Sequence, residues 1–199
     1  MFGVPLINTK LWDEKVAEEV CLKITDGSHF SPKDCPSSII PMLSVKDMMD
    51  NRFSYDTCKH VSKEDYEELK KNGCKPLLND VLIAKDGSYF YYGFVLEKEI
   101  EQALLSSIAI LRPNKEIVNP YYLRNYMMSR EVIDLVGNKY VSGAALKRVI
   151  LKGIRRIPVM VPPIELQNQF ADFVKKVDKL KFISEKKLEV IKYNSNLLL

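Results

Sequence analysis

The sequence predicts a mixed α/β (α+β) domain followed by one long α-helix that forms a coiled-coil arm. Through residue 163, short apolar runs bounded by turn residues alternate with helical patterns, as expected of a sheet covered by helices. Beyond Pro163 no glycine or proline occurs, and apolar residues recur at helical spacing. The expected organisation is a domain over residues 1–163 and a helix over residues 164–199.

The first helix of the domain is marked at both ends. Ser62 can cap its start together with Asp65, and Gly73 can end it in a left-handed conformation. Buried or half-buried strands are then expected wherever apolar or aromatic runs lie between turn residues. These runs are DVLIA at 80–84, FYYGFVL at 90–96 and SSIAIL at 106–111.

A second helix and a last strand complete the domain. The pattern NPYYLRNYMMSREVIDLV predicts a helix from about Pro120, because proline fits the first turn. The run RRIPVMVPP at 155–163 predicts a strand that its prolines end, since a proline cannot occupy a central ladder.

The helix after residue 163 carries an apolar stripe, here called the seam. A four-three spacing typical of coiled coils holds for its first five residues, and the phase slips after the fifth. The seam consists of Leu166, Phe170, Phe173, Val177, Leu180, Leu188 and Ile191. Such a helix reaches about 50 Å at 1.5 Å per residue, longer than a small core requires. It either folds back on its own domain or pairs with a helix of another chain, and its length favours pairing.

Basic residues are concentrated in one segment. The net charge is only +4, yet residues 135–164 contain six basic residues and no Asp or Glu. They are Lys139, Lys147, Arg148, Lys152, Arg155 and Arg156. A concentrated basic segment suits a polyanion-binding face, because contacts to phosphates release counterions. A solvated lysine-rich surface has the same composition, so charge alone leaves both interpretations open.

Motifs for catalysis and metal binding are missing or incomplete. NPYY at Asn119 resembles the Asn-Pro-Pro-Tyr motif of adenine amino methyltransferases, but the second proline is absent and no glycine-rich turn follows a first strand. His29 and His60 have no Glu or Cys at ligand spacing. The sequence therefore predicts no enzymatic activity, no cofactor and no metal.

The composition predicts a soluble cytoplasmic protein without membrane contact. The longest apolar runs are broken by charge, and the start MFGVPLINTK lacks the basic and apolar regions of an export signal. No close pair of cysteines suggests a zinc site or a redox dithiol, so reduced thiols are expected. The cysteines are Cys21, Cys35, Cys58 and Cys74.

Several stretches, in a fixed order between Trp12 and Val177, resemble one family. They are ITDGSHFSP, NDVLIAKDGS, SSIAILRPN with VNPYYLRNYMMS, and LKRVILKGIRRIPVMVPPIELQNQFADFV. Together they resemble the specificity subunit of type I restriction and modification enzymes. Members usually hold two target recognition domains, each followed by a long helix. This chain has one copy and no internal repeat, so it resembles a half-length form with a single target recognition domain.

The resemblance implies DNA recognition without catalysis. In this family the recognition domain reads one half of a split double-stranded DNA target, and the long helices run antiparallel as a spacer. Methyltransferase subunits dock on the helices and supply the chemistry, and restriction subunits join through them. The seam is then expected to pair with an identical chain, as a homodimer, or with another half subunit.

Three loops are the candidates for DNA contact. The first loop is TDGSHFSP at 25–32, the second is AKDGSYFYYG at 84–93, and the third is NKYVSGAALKRV at 138–149. They offer short hydroxyls, lysines and tyrosines for base edges or phosphates, and glycines that let the backbone approach. The candidate residues are Thr25, Gly27, Ser28, His29, Lys85, Ser88, Tyr89, Tyr91, Lys139, Ser142, Gly143 and Lys147.

Two other interpretations stay open. The loops could be purely structural turns, with their tyrosines in a core, and the chain could be a protein interaction module with a scaffold or anti-restriction role. A DNA mimic needs an acidic surface, and the basic segment argues against it. A methyltransferase fragment is the enzymatic alternative, which the missing motifs disfavour.

Overall fold

The computed structural model describes residues 3–87, 89–142 and 147–196. Its elements in chain order are β1 (Asp13–Val16), α1 (Ala17–Val20), β2 (Cys21–Asp26), β3 (Ile40–Leu43), β4 (Lys59–Val61), α2 (Lys63–Lys71), β5 (Val81–Ala84), β6 (Gly93–Val95), β7 (Ala103–Leu104), β8 (Ile108–Pro113), α3 (Pro120–Met127), α4 (Arg130–Lys139), β9 (Val141–Ser142), β10 (Arg148–Val149), α5 (Leu151–Arg155), β11 (Pro158–Val161) and α6 (Ile164–Asn196). The mixed α/β class with a long final helix is confirmed.

A four-stranded antiparallel sheet, in the order β2-β8-β5-β6, forms the centre of the domain. Asp26 at the end of β2 pairs with Ala109 of β8, and Ala84 at the end of β5 pairs with Ile108. Strands β2 and β5 therefore end at the same edge of the sheet, where β8 begins. The loops that follow β2 and β5 are therefore brought together at this edge.

Both faces of this sheet are buried at β5. Val81 and Ile83 of β5 belong to a core that contains α3, α4 and α5, whereas Leu82 and Ala84 face a second core around Leu43 and Phe53. Successive side chains of a strand point to opposite faces, so burial of both faces requires an apolar residue at every position. The uninterrupted run VLIA satisfies this requirement.

Smaller sheets extend the domain. Strands β4, β3 and β7 form a three-stranded sheet that packs against Tyr66 and Leu69 of α2. Strand β1 pairs antiparallel with β11, and β9 with β10. Pro158 stands at the first position of β11, where a proline is tolerated.

Helix α2 has the predicted ends. The hydroxyl oxygen of Ser62 accepts a hydrogen bond from the amide of Asp65 at 3.0 Å, and Gly73 has a φ of +81°. This helix was predictable because its signals are local.

Three expected boundaries are wrong. The expected strand at 90–96 begins only at Gly93, because residues 89–92 form a turn in which buried Phe90 has a φ of +53°. The expected strand at 106–111 begins at Ile108, since residues 106 and 107 form a turn in which the amide of Ile108 donates to the carbonyl of Leu105 at 3.1 Å. The helix from Pro120 breaks at Ser129, whose hydroxyl donates to the carbonyl of Tyr126 at 2.7 Å and competes with helical bonding.

The start of α6 is fixed to the domain by the buried amide of Gln167. Its Oε1 accepts from the backbone amide of Asn119 at 2.9 Å. Its Nε2 donates to the carbonyls of Ile117 at 3.1 Å and Pro162 at 2.7 Å. Because both N–H donors and the oxygen of this buried amide are bonded to the backbone of the domain, the domain sets the direction of the helix.

The next turns of α6 also contact the domain. Ala171 and Val174 are buried, and the ring of Phe170 meets that of Tyr122 edge to face, with centroids 6.3 Å apart. Further along, Lys181 forms an ion pair with Asp50 at 2.9 Å. Among the described residues, no helix combines the length and the apolar character needed to cross a membrane.

A bidentate ion pair fastens β8 to the turn before β5. Arg112 donates from Nε and Nη2 to the two carboxylate oxygens of Asp80 at 2.9 and 2.8 Å, and the side chain of Asp80 is 1% exposed. The same carboxylate accepts the amide of Leu77 at 2.8 Å. Removing the Asp80 carboxylate would leave the guanidinium of Arg112 and the amide of Leu77 without their acceptor.

We expect Asp80→Ala to lower the free energy of unfolding by about 3 kcal/mol, because it leaves a partly buried guanidinium unpaired. Urea unfolding followed by circular dichroism measures this loss. Glu67→Ala serves as the control, because Glu67 and Lys70 form an exposed pair at 3.4 Å. That pair is worth about 0.5 kcal/mol or less. Equal losses of unfolding free energy in the two variants would contradict a stabilising role of the ion pair between Asp80 and Arg112.

Candidate nucleic-acid interface

The three candidate loops meet at the edge where β2 and β5 end. The first loop continues β2, the second links β5 to β6, and the third contains β9 and β10. A bridge pairs Asp86 of the second loop with Arg148 of the third. Segments that are about sixty residues apart in sequence therefore form one surface.

A chain of charged side chains connects the loops. Asp26 Oδ2 lies 3.2 Å from Lys85 Nζ, which is 3.4 Å from Asp86 Oδ1. Asp86 Oδ1 in turn lies 3.3 Å from Nε of Arg148. His29 flanks this chain, with Nε2 3.4 Å from Asp26 Oδ2. We call Asp26, Lys85, Asp86 and Arg148 the ion chain.

Backbone hydrogen bonds hold the same loops together. The amide of Gly87 donates to the carbonyl of Lys147 at 2.8 Å, and the amide of Val149 donates to the carbonyl of Lys85 at 2.9 Å. The amide of Ser28 donates to the carbonyl of Leu104 at 2.7 Å, which attaches the first loop to β7. The second and third loops thus form one unit, and the first loop is joined to it through the ion chain.

Gly27 is required by packing. A Cβ at this position would lie 2.1 Å from the carbonyl oxygen of Leu104 and 2.5 Å from that of Leu105. Both atoms belong to the backbone and cannot rotate away. The close approach that the structure shows at Gly27 is to the protein's own backbone, and the expected approach of Gly27 to DNA stays a prediction.

Side chains of the first and second loops differ in exposure. His29 and Tyr91 are largely exposed, at 76% for the side chain of His29 and 69% for Tyr91. Thr25 and Ser28 are half-buried, and the Ser28 hydroxyl donates to the carbonyl of Phe30 at 2.6 Å. Tyr89 is half-buried and packs against the core. Lys85 is the exception among the candidates, because its side chain is only 5% exposed.

The third loop supplies the exposed cations. Lys139 and Lys147 are exposed, and the side chain of Arg148 is 53% exposed. The backbone of Ser142 pairs with Arg148. Arg155 has a structural contact, because it donates to the carbonyl of Ile24 at 2.9 Å. Two candidates, Ser88 and Gly143, lie outside the described residues, as does the side chain of Ser142.

Sequence reasoning missed three members of the ion chain: Asp26, Asp86 and Arg148. The two carboxylates had a signal, because ITDGS at 24–28 and AKDGS at 84–88 place Asp-Gly-Ser directly after or at the end of a buried strand. Two Asp-Gly-Ser motifs at the ends of two strands indicate that both motifs lie at the same edge of the sheet. Their contact with Arg148 depends on the fold and had no local signal.

The outer part of the seam is exposed. Phe173 is 63% exposed, Val177 45%, Leu180 64% and Leu188 56%. Leu166 and Phe170 are half-buried, and the side chain of Ile191 lies outside the described part.

An apolar groove of about 460 Å³ opens beside Phe170 and Phe173 and is lined further by Tyr122, Tyr126 and Met160. Exposed apolar residues in a continuous row are typical of a contact surface.

The thiols and the metal-binding residue types show no reactive arrangement where the structure can be described. The described residues contain no group of three His, Cys, Asp or Glu that could hold a metal ion. The four cysteines are free, and burial together with the nearby Asp80 raises the pKa of Cys21 to about 12. That thiol stays protonated at neutral pH and is a poor nucleophile.

Known proteins share this arrangement of sheets and helix. A structure described as the basis of assembly and conformational transition of the type I R-M system matches with a TM-score of 0.59 and 18% identity over 89% of this chain and 40% of the other. The type I S subunit from M. genitalium matches with a TM-score of 0.59 and 11% identity, over 88% of this chain and 42% of that subunit. The HsdS subunit from Thermoanaerobacter tengcongensis matches with a TM-score of 0.52 and 18% identity, over 89% of this chain and 39% of that subunit.

The sequence comparisons agree with the fold. The putative type I restriction enzyme MjaX specificity subunit of Methanocaldococcus jannaschii is 22% identical over 157 residues, which cover 76% of this chain and 36% of the relative. A family model, the type I restriction modification DNA specificity domain, matches residues 9–193. The chain belongs to this family. It spans only about two fifths of the length of these relatives.

We expect Gly27→Ala to destabilise the protein by about 1–3 kcal/mol, because the added methyl group overlaps rigid backbone. Thermal unfolding measures the effect. Gly137→Ala is the matched control, since its Cβ would meet only the hydroxyl of Tyr89 at 3.3 Å. Gly137 lies within α4, where alanine is the better helix former. An unchanged melting temperature for Gly27→Ala would show that the loop moves freely.

Proposed function

We propose that the chain is a DNA-binding specificity subunit of a type I restriction-modification system and reads one half of a bipartite double-stranded target. The convergence of three loops at one sheet edge carries this proposal. That surface presents exposed cations of the third loop beside exposed His29 and Tyr91 of the first two loops. Cations position a protein on the phosphate backbone, and polar side chains on loops can reach base edges.

The chain itself catalyses nothing in this proposal. Methyltransferase subunits supply the chemistry, and restriction subunits join the complex through them. The family match supports this division of roles, as do the relatives, which are specificity subunits or belong to a type I assembly. Because the target is chromosomal or invading DNA, the complex works in the cytoplasm.

The seam pairs two chains. Its outer residues are exposed in a single copy, although they repeat at coiled-coil spacing. Residues 1–163 then act as the recognition domain, and residues 164–199 as the arm for pairing and methyltransferase docking. Two identical chains related by a two-fold axis present the same loops in opposite orientation, so their target is an interrupted palindrome. A different partner half gives a target with unrelated halves.

Light scattering after size exclusion tests the assembly. We expect the wild-type chain to elute as a dimer, to bind a type I methyltransferase subunit, and then to bind duplex DNA. Phe173→Glu with Val177→Glu should give a monomer, because each copy would place two carboxylates in an apolar contact. Circular dichroism checks that this variant stays folded.

Lys179→Glu is the control for the seam, because it adds a carboxylate to the same helix outside the stripe. We expect its mass to equal that of the wild type. A double variant that remains a dimer would refute the seam as the contact. A wild-type monomer that binds neither methyltransferase nor DNA would refute the proposed function.

Lys147→Ala should weaken binding to target and unrelated duplexes by the same factor, because an exposed lysine contacts phosphates that every sequence has. The slope of log K against log salt should become shallower by about 0.9. Fluorescence anisotropy over a salt series measures both quantities. A loss confined to the target duplex would instead assign Lys147 to a base contact.

A further inference from the structure

We propose that Lys85 is a positioning residue: clamped between Asp26 and Asp86, its ammonium fixes the three loops relative to one another and, through Asp86, orients Arg148 for contact with a phosphate. The contact with DNA rests on the proposed function, whereas the clamp rests on the geometry alone. Lys85 then acts through its neighbours and does not itself touch DNA.

Burial is the first argument. The side chain of Lys85 is 5% exposed, and those of Asp26 and Asp86 are 11% and 10% exposed. Buried charges are tolerated when they are paired, and removing one partner is costly. An ammonium has three donors, and two carboxylates already lie within 3.4 Å of it. The third donor belongs to a side chain that is almost fully buried, so a DNA phosphate has little access to it.

The four residues of the ion chain come from three different segments of the fold. Asp26 is the last residue of β2, Lys85 and Asp86 follow β5, and Arg148 begins β10. The ion chain therefore joins all three loops. Without the ammonium, two partly buried carboxylates would face each other and repel.

The orientation of Arg148 is the third argument. Its Nε lies 3.3 Å from Asp86, yet the side chain is 53% exposed. A guanidinium is planar and rigid, so fixing one nitrogen restricts the direction of the others, which can donate to a phosphate. Asp86 thus restrains a surface cation that would otherwise sample many rotamers.

The variant Asp86→Asn distinguishes an orienting role of Asp86 from a general electrostatic effect on DNA binding. Asp86→Asn removes one negative charge near the DNA, so a purely electrostatic surface would bind every duplex more tightly. If Asp86 orients Arg148 on a phosphate, the same variant should instead bind target and unrelated duplexes alike about tenfold or more weakly, because every duplex carries that phosphate. Asp134→Asn, an exposed carboxylate on α4, is the matched control for charge. Unchanged or tighter binding of duplex DNA by Asp86→Asn would overturn the role of Asp86.

A pair of variants tests Lys85 directly. Lys85→Met leaves the two carboxylates unneutralised, and we expect target binding to fall about tenfold or more. Lys85→Met with Asp26→Asn has the wild-type net charge and removes the repulsion, so it should restore most of the binding. If the double variant stays as weak as the single one, Lys85 contacts DNA itself and the positioning role is wrong.

Hydrogen exchange measures the clamp without DNA. In the full chain, the amides of Gly87 and Val149 should exchange about tenfold or more faster in Lys85→Met than in wild type, and the double variant should restore their protection. Both amides join the second loop to the third. Equal exchange in a folded Lys85→Met protein would overturn the clamp.

If Lys85→Met fails to fold, the double variant decides alone, because the clamp predicts a folded protein with protected loop amides. A double variant that also fails to fold, or that exposes these amides, would overturn the idea that neutralising the carboxylates is what matters. Protected amides in a wild-type chain that binds no DNA would refute the proposed function and leave the clamp intact.

Discussion

Burial of the central sheet on both faces is the constraint on which the rest of the structure depends. Every residue of β5 contacts one core or the other, so the strand cannot carry a polar side chain along its length. Polar and charged groups are displaced to the ends of the strands, and the antiparallel register places Asp26 and Ala84 at one edge. The candidate interface is therefore where the apolar sheet ends, and Lys85 and Asp86 are the first residues beyond it.

The parts of the fold that were predictable have local causes. The run VLIA, the Ser62 cap and the proline before α3 each act within a few residues, and each gave the right element. The turn at 89–92 and the break at Ser129 were missed, because buried Phe90 and the hydroxyl of Ser129 act against a favourable local pattern. The loops were found from composition, but the ion chain joins distant segments through strand register, which no local pattern contains.

The long helix folds back on its own domain along one stripe and leaves a neighbouring apolar stripe exposed. One stripe, with Gln167, Ala171 and Val174, packs against the domain and is buried. The neighbouring stripe, with Phe173 and Val177, stays exposed. The apolar spacing thus identified the exposed stripe together with Phe170, but not the buried stripe beside it. The buried stripe was not predicted because it begins with a glutamine, a residue type that is usually exposed. Gln167 is buried because its side chain forms hydrogen bonds with three backbone groups.

The amide of Gln167 also affects how this protein can be recombined with others. A chimera cut at residue 163 would graft the domain onto a foreign helix and separate this glutamine from Asn119, Ile117 and Pro162. The transplanted domain would then lose the joint that sets its angle to the helix. A cut after Val174 would carry the joint along as part of the module. A domain transferred with this joint intact would therefore include the first three turns of α6.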